Sequence, residues 1–314
     1  MRGWWQDLTD LVLPAECGGC GRPRTVLCPE CRAALTGAVP SRVRPEPEPP
    51  GLPVVHAAAP YEDEVRAVLL AHKERGALML AGYLGAALAG AVRASLATGG
   101  GSGAARLVPG ACGPGGPRGH GVPGGHGRHG GPVGAGGSGI PVSLVPVPSA
   151  PWAVRARGHD PARRIALAAA GELRRTGTPA RVVAVLRQRR AVADQSGLNS
   201  RQRLDNLAGA LEVPAGGARL LADGGRVVLV DDLMTTGASL AEAARALNAV
   251  LVARTGPYGR VTPKVTGEGM SQVTARGVGR PEAVREMRGT NGAEGLLAAA
   301  VVAATPASFE INRN

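Results

Sequence analysis

From residue 54 onward, short continuous apolar runs alternate with stretches whose apolar positions recur at helical spacing. A run at 54–59 predicts a strand, and an acidic turn then leads into a helical pattern at 62–70 that resumes at 77. Runs at 142–147, 181–186, 227–230 and 297–304 predict further strands, with helices near 160–175, 201–207 and 239–251 and a loop at 187–200. Strands alternating with helices require right-handed crossovers, so the expected fold is α/β with a doubly wound, mostly parallel sheet. The run at 227–230 is apolar at every position, as in a central strand covered on both faces.

Three stretches break this rhythm. Residues 41–53 read SRVRPEPEPPGLP, a composition suited to an extended linker. The expected organisation is therefore a small module at 1–39, a Pro-rich linker at 40–53 and one main domain at 54–314. Residues 99–139 are dominated by Gly with His, Pro and Arg, and 255–295 by Gly, Thr and Arg. Both are expected to be disordered insertions, because they carry too little apolar surface to offset chain entropy.

Composition narrows the picture in three ways. Aromatics are only 2% of the 314 residues, so the core must be built from Ala, Val and Leu. A net charge of +12 favours anionic partners, either phosphorylated small molecules or nucleic acid, although much of it is Arg in an Arg- and Ala-rich background. Asp7 and Asp10 interrupt the first weakly apolar stretch, which is incompatible with a secretory signal and predicts a cytoplasmic protein. The uncharged stretch 76–92 ends at Arg93, short of the ~20 residues a membrane span needs. It reads as a buried helix.

The strongest chemical signal follows the 227–230 run. Asp231 and Asp232 stand at the carboxyl end of that strand, where open α/β sheets bind ligands and carboxylates can accept hydrogen bonds from vicinal hydroxyls such as those of ribose. Met234, Thr235, Thr236, Gly237, Ala238 and Ser239 then form a hydroxyl-rich turn into a helix, with Ser239 and Glu242 at capping-box spacing. A phosphate there would meet free backbone N–H groups, the helix dipole and the hydroxyls of Thr235, Thr236 and Ser239, while Gly237 allows close approach. Each feature alone fits an ordinary strand–turn–helix. Their order resembles the phosphoribosyl-pyrophosphate signature of type I phosphoribosyltransferases.

Other segments resemble, in order, the ComF family of competence-associated, phosphoribosyltransferase-like proteins. They are an N-terminal four-cysteine module, the helix end His72-Lys73-Glu74-Arg75-Gly76, then Val145-Pro146-Val147-Pro148 leading to Arg155, Arg157 and Gly158. Asp194-Gln195-Ser196-Gly197-Leu198 follows, with Arg203 and Asn206 downstream, and the closing Val301-Val302-Ala303-Ala304-Thr305-Pro306 matches the family's last strand. The resemblance implies a type I phosphoribosyltransferase-like fold in which the loop from Ser149 through Arg155 and Arg157 to Gly158 holds pyrophosphate. It also implies that 187–203 is a mobile loop carrying Arg189, Arg190 and Gln195 to the reaction, and that Mg²⁺ accompanies the substrate. Asp160 and Pro161 also read as the N-cap and first position of a helix. His159 and Asp160 stand where many relatives resemble Phe-Asn, and the two insertions are not part of the family pattern.

Cys17-x-x-Cys20 and Cys28-x-x-Cys31 have the spacing with which two tight turns present four thiolates to one structural Zn²⁺, in preference to redox or disulfide use. Arg22, Arg24 and Arg32 flank these ligands, which leaves nucleic-acid contact open without a recognition helix to support it. Cys112 and the histidines 120, 126 and 129 fall in the Gly-rich insertion with no regular ligand spacing.

Two functions fit these observations. One is a phosphoribosyltransferase that binds phosphoribosyl pyrophosphate with Mg²⁺ and transfers the phosphoribosyl group to a nitrogen nucleophile. The other, implied by the competence association, is a non-catalytic nucleotide- or DNA-associated factor whose partner would be single-stranded DNA or a DNA-processing protein. Either could be a monomer or a homodimer.

Overall fold

The structure is a computed structural model, and it describes residues 16–98, 140–190, 200–221, 225–255 and 297–312. Elements in chain order are α1 (Pro29–Thr36), β1 (Ser41–Val43), β2 (Val55–Pro60), α2 (Asp63–Glu74), α3 (Ala81–Thr98), β3 (Val142–Pro146), α4 (Pro151–Arg157) and α5 (Pro161–Arg175). They continue with β4 (Ala180–Val182), β5 (Arg187–Gln188), α6 (Ser200–Leu207), β6 (Leu211–Glu212), α7 (Gly217–Leu220), β7 (Arg226–Met234), α8 (Ala238–Thr255) and β8 (Leu297–Ala304).

Six strands form one sheet in the order β1-β2-β8-β7-β3-β4, and β5 and β6 form a separate antiparallel pair. Every pairing in the main sheet is parallel except that of β1 with β2. The chain leaves β3 for β4 on one side and returns with β7 on the other, so β3 and β7 flank a topological switch point. Ligands of open α/β sheets bind at the carboxyl ends of such strands.

Both faces of the sheet are covered. Val228 and Val230 of β7 join a core with Leu84, Leu88 and Val92 of α3 and Ile165 and Leu173 of α5. The alternate residues Val227 and Leu229 face Leu240, Ala244 and Leu247 of α8. This is the arrangement an uninterrupted apolar run predicts. The scarcity of aromatics is matched by close backbone approach: a Cβ added at Gly85 of α3 would lie 2.5 Å from Ala168 Cβ on α5. The stretch Leu78–Thr98 is long and apolar enough to cross a membrane by length and composition, yet 56% of its most apolar window is buried against the rest of the protein.

Several boundaries differ from expectation. β4 spans only Ala180–Val182 of the predicted 181–186, and two residues of the predicted 187–200 loop form β5. Part of the Pro-rich stretch is strand: β1 pairs with β2, and Leu52 and Pro45 pack against Gly237. The N-terminal module also joins the main core, with Cys31 and Leu35 clustered with Val68 of α2 and Leu84 of α3. Residues 1–15, all of 99–139, all but one of 255–295, and Gln195 within 191–199 lie outside the described residues.

Candidate functional site

A cavity of about 660 Å³ opens at the carboxyl ends of β3 and β7. It is lined by Asp231 and Asp232 from β7, Thr235 and Ser239 from the turn into α8, and Ser149 and Arg157 from the segment after β3. Lys73, Arg203, Gln188, Tyr61 and Trp152 complete the polar and aromatic parts of its wall.

The acidic pair does not end its strand, as the sequence suggests. β7 runs on to Met234, paired with β8 as far as Met234 opposite Ala304. Its pairing with β3 stops at Val230 opposite Pro146, and Val147 N–H makes the last bond to Val230 O at 2.9 Å. Pro148 has no N–H with which to continue. The strands part there, and the crevice begins at Asp231.

Asp232 is buried and its Oδ2 lies 3.1 Å from Lys73 Nζ at the end of α2. That carboxylate holds the Lys73 ammonium above its ordinary value. Asp232 N–H donates to Asp231 Oδ1 at 2.8 Å. Burial first, and the Asp232 charge second, push the Asp231 carboxyl well above the usual carboxylate range.

The turn into α8 has the form an anion site needs. Gly237 has φ +73°, a backbone conformation other residues rarely adopt, and a Cβ there would crowd Leu52 and Pro45 at 3.2–3.3 Å. Residues 233–240 with Asp231 bound a small recess at the helix N-terminus. Met234 and Ala238 are buried core residues, so they offer a ligand only backbone groups. One sequence expectation fails: Ser239 and Glu242 form no capping box. Glu242 instead accepts from Leu211 N–H at 2.9 Å and from Arg245 Nε at 2.7 Å, because burial beside β6 gives it stronger partners.

The segment from Ser149 to Gly158 is mostly helix, not loop. Pro151 starts α4, and Gly158 at φ +75° ends it by donating its N–H to Val154 O. Asp160 caps α5 by accepting from Arg163 N–H at 3.2 Å, and its carboxylate also accepts from Ser149 N–H and Oγ at 3.4 Å. Arg157 faces the cavity with Nε 3.3 Å from Glu74 Oε2, whereas Arg155 is exposed and does not line it. The His159 and buried His72 rings pack in an edge-to-face arrangement with centroids 5.6 Å apart.

Arg189 and Arg190 are not brought to the cavity wall. Arg189 Nε lies 3.1 Å from Glu212 Oε2, and Arg190 donates to Asn206 O and Ala208 O at the end of α6. Lys73, Arg203 and Gln188, together with the aromatic Tyr61 and Trp152, line the cavity without having been expected there; Lys73 and Arg203 stand in the segments that carry the resemblance.

At the N-terminus, the reactive atoms of Cys17, Cys20, Cys28 and Cys31 all lie within 4.8 Å of one another. None of these four cysteines is in a disulfide, and Cys20 Sγ and Cys28 Sγ are 3.6 Å apart. A tetrahedral zinc with Zn–S near 2.3 Å sets sulfur–sulfur separations of about 3.8 Å, so the four thiols could hold a metal ion of that kind. Cys28 N–H donates to Cys17 Sγ and Cys31 N–H to Cys28 Sγ, as in turns that aim backbone donors at thiolates. Of the flanking arginines, Arg22 pairs with Glu30 and Arg32 lies over the Tyr83 ring.

No model of a known protein family matches the chain, and no curated protein matches its sequence.

Proposed function

We propose that this chain binds phosphoribosyl pyrophosphate in the cavity between β3 and β7 and acts as a phosphoribosyltransferase of the type I, ComF-like kind. The observation that carries the reading is that one cavity is lined by three parts: the Asp231–Asp232 pair, Thr235 and Ser239 of the turn at a helix N-terminus, and Ser149 and Arg157 of the segment after β3. Each part suits one portion of the ligand. The carboxylates accept hydrogen bonds from the ribose hydroxyls, backbone N–H groups at the helix start donate to the 5-phosphate, and Ser149 and Arg157 donate to the pyrophosphate.

The donors present suit Mg²⁺, since Asp231, Asp232, Ser149 and Thr235 offer hard oxygen atoms within one cavity. Asp231 and Asp232 would hold it together with ligand oxygens, and its charge would offset that of the pyrophosphate. In the reaction the bond from the anomeric carbon to pyrophosphate oxygen breaks, and the electron pair leaves with that oxygen. A nitrogen lone pair forms the new bond to the same carbon, and the proton that this nitrogen sheds leaves on the departing pyrophosphate. Arg157 stabilises the leaving group, while Lys73 fixes Asp232 beneath the ribose. The four-cysteine module would bind structural Zn²⁺.

A non-catalytic role beside single-stranded DNA is the second reading, favoured by the net charge of +12. Incubating the protein with phosphoribosyl pyrophosphate, Mg²⁺ and a panel of nitrogenous bases, and measuring pyrophosphate release, separates the two. Acceptor-dependent release supports the transferase. No release, together with DNA affinity that falls steeply with salt, supports the second reading.

A further inference from the structure

Three cationic side chains line the cavity: Lys73, Arg157 and Arg203. Lys73 is held by Asp232 and Arg157 by Glu74. Among the described residues, Arg203 alone of the three has no carboxylate partner. Its Nη1 lies 3.5 Å from Thr235 Oγ1 at the limit of a hydrogen bond, and its Nε is buried with no partner. A guanidinium N–H removed from water and left unsatisfied costs free energy, and an anion arriving at that place would recover it.

The position of Arg203 follows from packing. It lies on α6, and Leu204 and Leu207 of that helix pack with Ala210 against Ala238, the first residue of α8. This apolar contact sets α6 beside the turn from Thr235 to Ser239. Arg190 braces the far end of the helix through Asn206 O and Ala208 O. The guanidinium therefore stands beside the helix start, with Nη1 3.5 Å from Thr235 Oγ1.

We infer that Arg203 is a binding residue for the 5-phosphate group, closing over a phosphomonoester seated at the Thr235–Ser239 turn. The inference rests on the phosphoribosyl reading of the cavity and deepens it, because it makes a terminal phosphate a requirement for recognition. Backbone N–H groups alone would hold a phosphate from one side. The planar fork of Arg203 adds paired, charge-assisted bonds from the other.

The test uses the full metal-loaded chain and calorimetric titration with ribose 5-phosphate, phosphoribosyl pyrophosphate and inorganic pyrophosphate, each with Mg²⁺. Arg203→Gln is expected to weaken the two phosphoribosyl ligands about tenfold or more while leaving inorganic pyrophosphate unchanged. Arg203→Lys should recover part of the loss, since it keeps the charge but not the fork. Equal weakening of all three ligands, or no change in any while the wild type binds, overturns the inference and leaves the phosphoribosyl site standing. A wild-type protein that binds none of the three overturns both.

Discussion

Lys73 Nζ lies 3.1 Å from Asp232 Oδ2, so the end of α2 is tied to the strand that carries the acidic pair. The next residue, Glu74, holds Arg157 of α4, and His72 packs on His159. One turn of α2 thus fastens both sides of the cavity. Lys73→Met would leave the buried Asp232 carboxylate without its counter-charge. Because Lys73 is about one-third exposed, the stability lost should be modest, about 1–2 kcal/mol, read from urea unfolding. An unchanged midpoint would show that the pair is solvent-screened.

The cysteine module is packed against the same helix. A Cβ at Gly19 would meet Cys31 Sγ at 2.6 Å and Val68 Cγ2 at 3.4 Å, and one at Gly18 would meet Leu80 at 2.7 Å. Cys28→Ser should therefore abolish bound zinc, measured by elemental analysis, and also lower the melting temperature of the main domain. Metal loss without a change in melting would mean that the module folds independently.

Gly85 reports on the crossing of α3 and α5. Helix propensity alone favours Gly85→Ala by about 1 kcal/mol, but the added methyl would sit 2.5 Å from Ala168 Cβ and 2.8 Å from Ala169 N. Overpacking of this kind costs about 1–3 kcal/mol, so the variant should be destabilised in denaturant unfolding. A stabilised variant would contradict the close approach.

Glu242 supplies a pH-dependent contribution. Burial opposes its charge, but the Arg245 guanidinium and Leu211 N–H outweigh this and hold the carboxyl below its ordinary value. The stability it contributes is present above the unfolded value of about 4.3 and is lost as pH falls through the lower folded value. Glu242→Gln should cost about 1–3 kcal/mol at pH 7, and the gap from wild type should close under strong acid. A gap that stays constant with pH would exclude an ionic role.

β8 was legible with its limits at both ends because it is an uninterrupted apolar run, and β7 through its apolar stretch 227–230, whereas β1 and β4 each carry an arginine in three residues and were missed or misplaced. The placement of Asp231 to Ser239 around one crevice was legible because strand, acids, glycine turn and helix are contiguous. What escaped depends on residues far apart in the chain. β7 extends past its two acids because β8 pairs with it beyond the point where β3 departs. Glu242 fits a capping box in sequence, yet β6 and Arg245 claim its oxygens. α4 has only seven residues, from its helix-start proline Pro151 to the residue before the helix-end glycine Gly158, too short for apolar periodicity to show. The partners of Lys73, Arg189 and Arg190 have no local signature at all.

The most direct measurement is calorimetric titration of the zinc-loaded protein with phosphoribosyl pyrophosphate and Mg²⁺, repeated on Asp231→Asn/Asp232→Asn. Burial already disfavours the Asp231 charge, so that replacement should leave the fold intact, as circular dichroism can verify. Saturable one-to-one binding by the wild type that vanishes in the folded variant is the predicted result. Absence of binding by folded wild-type protein, or binding that survives the double substitution, would contradict the assignment of this cavity to phosphoribosyl pyrophosphate.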